Sequence, residues 1–179
     1  MREGPDGVDV TFSGGRSGRY DLVVAADGLH SATRRRAFGD VPLSHLGGYI
    51  SRWSSGRVVL LGDAAHCPAP SSGQGTSLAL VGAYVLADEI AKTGHAGAYE
   101  ERMRPYVAKN MAFGRRMVKD MVPGGRLAIA FRNYGMRTLK FHPRKEQVIE
   151  KVLAPLREAA NAEHLVAAPR LRDFAPEGR

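Results

Sequence analysis

The run Arg57-Val58-Val59-Leu60-Leu61-Gly62-Asp63-Ala64-Ala65-His66-Cys67-Pro68-Ala69-Pro70-Ser71-Ser72-Gly73-Gln74-Gly75-Thr76-Ser77-Leu78 decides the fold. Its first five residues form a short apolar strand, stopped by Gly62-Asp63. In open α/β sheets ligands sit in the crevice beyond the strand ends, and Asp63 is an acceptor suited to a sugar-like hydroxyl. Small Ala64 and Ala65 let a ligand pack against the backbone, and prolines stiffen the path to Gly73-Gln74-Gly75. There a helix opens, predicted from Gly75 to Lys92. It is apolar nearly all round (Leu78, Leu80, Val81, Val85, Leu86, Ile90), so it is expected to be buried. Its free N–H groups and positive dipole end favour negative charge. The plainer reading is a strand–loop–helix connection whose glycines serve packing.

A second run with the same logic lies upstream: Asp21-Leu22-Val23-Val24-Ala25-Ala26-Asp27-Gly28-Leu29-His30-Ser31-Ala32-Thr33-Arg34. An apolar strand again delivers an acid and a glycine at its carboxyl end. Ser31 is placed to cap a basic helix running to Phe38, and Arg34 to pair with a phosphate or with Asp27. An ordinary strand ending in an Asp-Gly turn fits the same residues. Before it, Val8 to Phe12 alternates as a half-buried strand does. Turn residues Ser13 to Gly18 join it to Tyr20–Ala26 as a hairpin. Gly39 to Gly56, with Pro42, Gly47 and Gly48, is loop-like. Downstream, helical spacing predicts helices over Tyr99–Met121, Arg126–Leu139 and Lys145–Ala160, punctuated by Pro123 and Pro143. The methionines 103, 111, 117 and 121 form a stripe expected in the core.

The 179 residues carry a formal net charge of +8. Met1 to Gly94 holds nine basic and nine acidic residues, whereas His95 to Arg179 holds 17 and nine, so all the excess falls in the helical half. Arg and Lys solvating outer helix faces account for it. No zinc-finger spacing or RNA-binding aromatic signature accompanies the charge, so nucleic acid is not expected as a partner. Cys67 stands alone, which excludes an intrachain disulfide and a cysteine-based metal site, and no metal is expected. The first residues lack a signal-peptide core. The longest apolar stretch, Leu78 to Ala87, falls short of the about 20 residues that span a bilayer, so no membrane is expected and a cytoplasmic location is.

Together the two runs resemble the second and third fingerprints of the class A FAD-dependent monooxygenases, the para-hydroxybenzoate hydroxylase-like aromatic hydroxylases. Asp27, Gly28, Ser31 and Arg34 meet the family's Asp-Gly-x-x-Ser-x-x-Arg pattern, which the resemblance places by the FAD pyrophosphate and links to NAD(P)H use. Gly62 to His66 meet Gly-Asp-Ala-Ala-His, where Asp63 would hold the ribityl chain. Pro70, Gly73, Gln74 and Gly75 match the stretch lining the flavin ring, whose pyrimidine edge turns negative on reduction. Ser72, Ser77 and Gly82 depart from the commoner glycine, asparagine and aspartate. The resemblance implies FAD as cofactor, NAD(P)H as reductant and hydroxylation of a small organic or aromatic substrate. It names no catalytic side chain, because the chemistry is the cofactor's.

Two family features are missing. No G-x-G-x-x-G occurs in the sequence; Gly14-Gly15-Arg16-Ser17-Gly18 has the wrong spacing. Only Ala37 to Gly56 separates the two runs, where the family has a substrate-binding sheet domain. The expected fold is therefore α/β: a partial Rossmann-like FAD-binding domain over 1–94, with the middle domain deleted around 39–56. A helical region follows over 95–170, then a frayed tail over 171–179. The expected activity is that of an NAD(P)H-dependent flavin monooxygenase in an incomplete chain. The alternatives are a non-catalytic remnant, one part of a split flavoprotein with a complementing polypeptide as partner, and a basic helical nucleic-acid binder that only the charge asymmetry supports.

Overall fold

Two apolar strands from far-apart stretches, β4 (Val23–Ala25) and β7 (Val58–Leu60), lie side by side and parallel, with Val23 opposite Val58 and Ala25 opposite Leu60. This pairing brings the carboxyl ends of both strands to one edge. The computed structural model describes residues 1–39, 48–49, 52–68, 70–121, 124–139 and 141–166. The expected tail over 171–179, Pro42 and Gly47 of the loop, and Pro123 lie outside the described residues.

The strand order corrects the expected hairpin. β2 (Gly7–Thr11) pairs with β3 (Ser17–Tyr20), not with the whole of Tyr20–Ala26, and an unforeseen β1 (Arg2–Gly4) completes a three-stranded antiparallel sheet. The apolar run breaks at Asp21-Leu22, and its second part joins β7 instead. Burial explains the switch: β3 is polar and mostly exposed, whereas Val23–Ala25 has an apolar partner in the fully buried Val58, Val59 and Leu60. Arg57 ties the sheets together. Its backbone N–H donates to Glu3 Oε1 at 2.6 Å, and its guanidinium donates to the carbonyls of Asp21 and Pro5.

The stretch read as a loop holds two short strands. β5 (Gly48–Tyr49) runs antiparallel to β8 (His66–Cys67), and β6 (Ser54–Ser55) runs antiparallel to β7. Two-residue strands leave too short an alternation to read from sequence. Helix α1 spans Ala32–Phe38, with Ser31 capping it as expected: Oγ accepts from the Arg34 N–H at 2.8 Å.

Helices α2 (Gly75–Thr93), α3 (Tyr99–Met121), α4 (Arg126–Leu139) and α5 (Lys145–Ala160) match the predicted segments. The core forms where α2 and α3 meet β7: Trp53, Val59, Leu60, Leu78, Val85, Leu86, Tyr99, Met103, Tyr106, Val107 and Met111. Met103 and Met111 of the expected stripe are buried there, and Met117 is half-buried. Trp53 is locked by its backbone N–H donating to Glu100 Oε2 at 2.7 Å and by the Arg104 guanidinium 5.2 Å over its ring. The end of α5 is fastened to α3 by Asn110 Nδ2, which donates to the Ala159 carbonyl at 3.0 Å.

Helix α2 comes close to α3 at Gly82. A Cβ there would lie 3.3 Å from both Leu61 Cδ1 and Tyr99 Oη. Gly82→Leu is therefore expected to destabilise the chain by about 1–3 kcal/mol through overpacking, read as a lower urea midpoint. An unchanged midpoint would mean that the two helices separate freely.

Candidate functional site: a crevice at the strand ends

At the edge where β4 and β7 end, a cavity of about 380 Å³ is lined by Ala26, Gly28, Leu61, Gly62, Asp63, Gly75, Thr76, Ala79 and Leu80. Both sequence runs and the opening of α2 therefore meet in one hollow. Its walls have little side-chain bulk. Gly28 has a φ of +77° and open space where a Cβ would stand, and Gly62 has a φ of +60°. Both lie in the left-handed region that favours glycine. Asp63 is exposed at the rim, and its Oδ1 lies 4.0 Å from where a Gly75 Cβ would be. Helix α2 opens without a side-chain cap, so its first N–H groups have no side-chain acceptor at Gln74.

The other expected site residues are arranged differently. Asp27 does not line the hollow. Its carboxylate accepts from Ser31 Oγ at 2.5 Å and from the Thr33 N–H at 3.0 Å. Burial works to raise its pKa, but the Ser31 and Thr33 hydrogen bonds outweigh it, and the net shift is downward. Ser31 is buried beneath the same cap. Arg34 does not pair with Asp27. Its guanidinium is buried, with Nη1 donating to the Ala64 carbonyl at 2.8 Å and Nη2 to the Leu29 carbonyl at 2.6 Å. It thus braces the first run against the second.

Pro70 belongs to a short 3₁₀ turn, Pro70–Ser72, which meets α3 through Ser71 Oγ donating to the Gly114 carbonyl at 3.2 Å. Gly73 is exposed with a φ of +63°. Gln74 is buried, and its Oε1 has no hydrogen-bond partner. These three flank the entrance of α2 rather than line the hollow.

Sequence reading missed Thr76, Ala79 and Leu80 as lining residues. The signal was present: Thr76 and Leu80 share a face at i, i+4, while Leu78, Gly82, Val85, Leu86 and Glu89 form the buried face. Leu80 is 67% exposed, which corrects the expectation that α2 is buried all round. His66, the last residue of the second motif, points away from the hollow into the core. Its ring meets that of Trp53 edge-on, 4.9 Å between centroids.

A crevice at the ends of parallel strands, walled by glycines and rimmed by the Asp63 carboxylate, lies where open α/β sheets place their ligands. Residues 41–121 match the family model described as FAD binding domain. A flavin-dependent monooxygenase from an unknown prokaryotic organism is 31% identical over 210 residues, covering 61% of this chain and 54% of that protein. The tetracycline destructase Tet(51) superposes with a TM-score of 0.67 at 21% identity, over 94% of this chain and 67% of that one. Klebsiella pneumoniae HpxO complexed with FAD superposes with a TM-score of 0.61 at 21% identity, over 87% of this chain and 66% of that one. These two superpositions show a shared fold. The resemblance to the class A FAD-dependent monooxygenases is borne out by the matching family model and by relatives named flavin-dependent monooxygenases. The chain spans about half the length of the curated relatives it matches.

Proposed function

We propose that the strand-end crevice binds FAD and that the chain carries the flavin site of an NAD(P)H-dependent monooxygenase acting on a small organic or aromatic substrate. The observation that carries this reading is the convergence of Gly28, Gly62, Asp63 and Gly75 on one hollow. The residues fit the cofactor. Left-handed Gly28 and Gly62 let it approach the backbone, and Asp63 can accept from its hydroxyls. The start of α2, which has no side-chain cap, would offer N–H groups to negative charge on the cofactor. Bound FAD supplies hydride acceptance and oxygen activation. In this reading Asp27 and Arg34 act at one remove, shaping the loops that touch the cofactor.

Asp63→Ala is expected to weaken FAD binding roughly ten- to hundredfold, the worth of a hydrogen bond to a charged group. Titration of flavin fluorescence against protein measures it. Equal affinity in both proteins removes the crevice as the site, and a wild-type chain indifferent to FAD overturns the reading.

A second reading, a remnant or one part of a split flavoprotein without turnover of its own, is consistent with two observations. The sequence contains no G-x-G-x-x-G. And 61% of 179 residues cannot fill an alignment of 210, so that alignment crosses a stretch of the relative with no counterpart here. That gap fits a substrate domain lost around 39–56. NAD(P)H oxidation by the FAD-loaded chain supports the enzyme; tight FAD binding without it supports the second reading.

A further inference from the structure

Helix α4 has no buried residue. Leu127 and Phe131 are 87% and 82% exposed, and Tyr134, 68% exposed, follows at the next turn, while Ile129 and Met136 lie on the opposite face of the helix. Spacing of i, i+4, i+7 sets Leu127, Phe131 and Tyr134 in one strip. An apolar strip of this kind in water marks an interaction surface. Its chemistry is one-sided. From Gly124 to Lys145 the sequence holds Arg126, Arg132, Arg137, Lys140, Arg144 and Lys145, and not one Asp or Glu. At about 100° per residue, Arg126 and Arg137 fall on nearly the same line, flanking the apolar strip.

We propose that α4 lies in the surface of an anionic lipid bilayer, with Leu127, Phe131 and Tyr134 in the acyl boundary and the flanking arginines at the headgroups. A basic helix with a separate apolar strip is the pattern of an interfacial helix. A second copy of the chain fits less well, because its α4 would bring the same positive charge against this one. Nucleic acid would match the cations but leave Leu127 and Phe131 wet. Spanning length, on which a membrane was set aside in the sequence, is irrelevant to a helix that lies flat.

The test is flotation of the full chain with vesicles of phosphatidylglycerol and phosphatidylcholine, against phosphatidylcholine alone. The expected result is co-migration with the anionic vesicles only, weakening as salt is raised. Arg126→Gln and Arg137→Gln should each reduce partitioning about fivefold, and Leu127→Glu with Phe131→Glu should abolish it. Circular dichroism checks that these variants stay folded. If the double variant does not, the arginine variants still decide. The proposal is overturned by no flotation, by equal flotation on neutral vesicles, or by partitioning that the arginine variants leave unchanged. It is also overturned if the chain sediments as a dimer that the Leu127 and Phe131 changes split, without lipid binding.

Discussion

Replacing Arg34 with Met is expected to lower the unfolding free energy by about 3 kcal/mol, measured by urea denaturation. Arg34 is 4% exposed, and its guanidinium joins two carbonyls far apart in sequence: Leu29 in the first run and Ala64 in the second. Met keeps most of the aliphatic stem, so the loss isolates the two charge-assisted hydrogen bonds and leaves both carbonyls without those donors. Removing a buried cation offsets part of the cost, since among the described residues no carboxylate lies within ion-pair distance of Arg34. Arg34→Lys should recover little, because a single ammonium cannot fork between two carbonyls. FAD affinity should fall in step with stability, since the loops that Arg34 joins carry Gly28 and Asp63. A stable Arg34→Met chain with weakened FAD binding would instead indicate a direct contact with the cofactor.

Arg34 also shows where sequence reading ran out. The Asp-Gly-x-x-Ser-x-x-Arg spacing identified the residue, but local spacing cannot tell which distant carbonyl a long side chain reaches. Helices α2 to α5 were legible because their apolar periodicity extends over three turns or more. The parallel pairing of Val23–Ala25 with Val58–Leu60 was not, because it depends on partner choice between segments more than thirty residues apart. The crevice was half legible. Gly28, Gly62, Asp63 and Gly75 stood out as strand-end and helix-start residues, which is where an α/β sheet places ligands. Asp27 was read as equivalent to Asp63, yet Ser31 and Thr33 lie close enough in sequence to capture its carboxylate for the helix cap. Which local donors hold that carboxylate is visible only in the geometry.

Stability is expected to fall as pH drops from about 6.5 to about 4, with His66 as the cause. The side chain is fully buried, and neither Nδ1 nor Nε2 has a hydrogen-bond partner. Burial holds its pKa down at about 4 from an ordinary 6.5. Within that window the unfolded chain binds a proton at this histidine and the folded chain does not. The unfolded state therefore binds more protons, and unfolding free energy rises with pH: the contribution is complete above 6.5 and lost as pH falls through the window. The slope approaches about 1.4 kcal/mol per pH unit, for a total of about 3 kcal/mol. His66→Phe keeps a flat ring against Trp53 and removes the titration, so its urea midpoints should stay level where those of the wild type fall. Asp27, whose pKa is lowered below 3.8, weakens the fold only at more acid pH, which separates the two effects. Parallel midpoint curves for wild type and His66→Phe would show that the pocket admits a charged ring, against its observed burial. Because β8 begins at His66, directly after the turn that presents Asp63, protonation that loosens the ring's seat also loosens the crevice rim. FAD affinity should weaken over the same pH window in the wild type and not in His66→Phe.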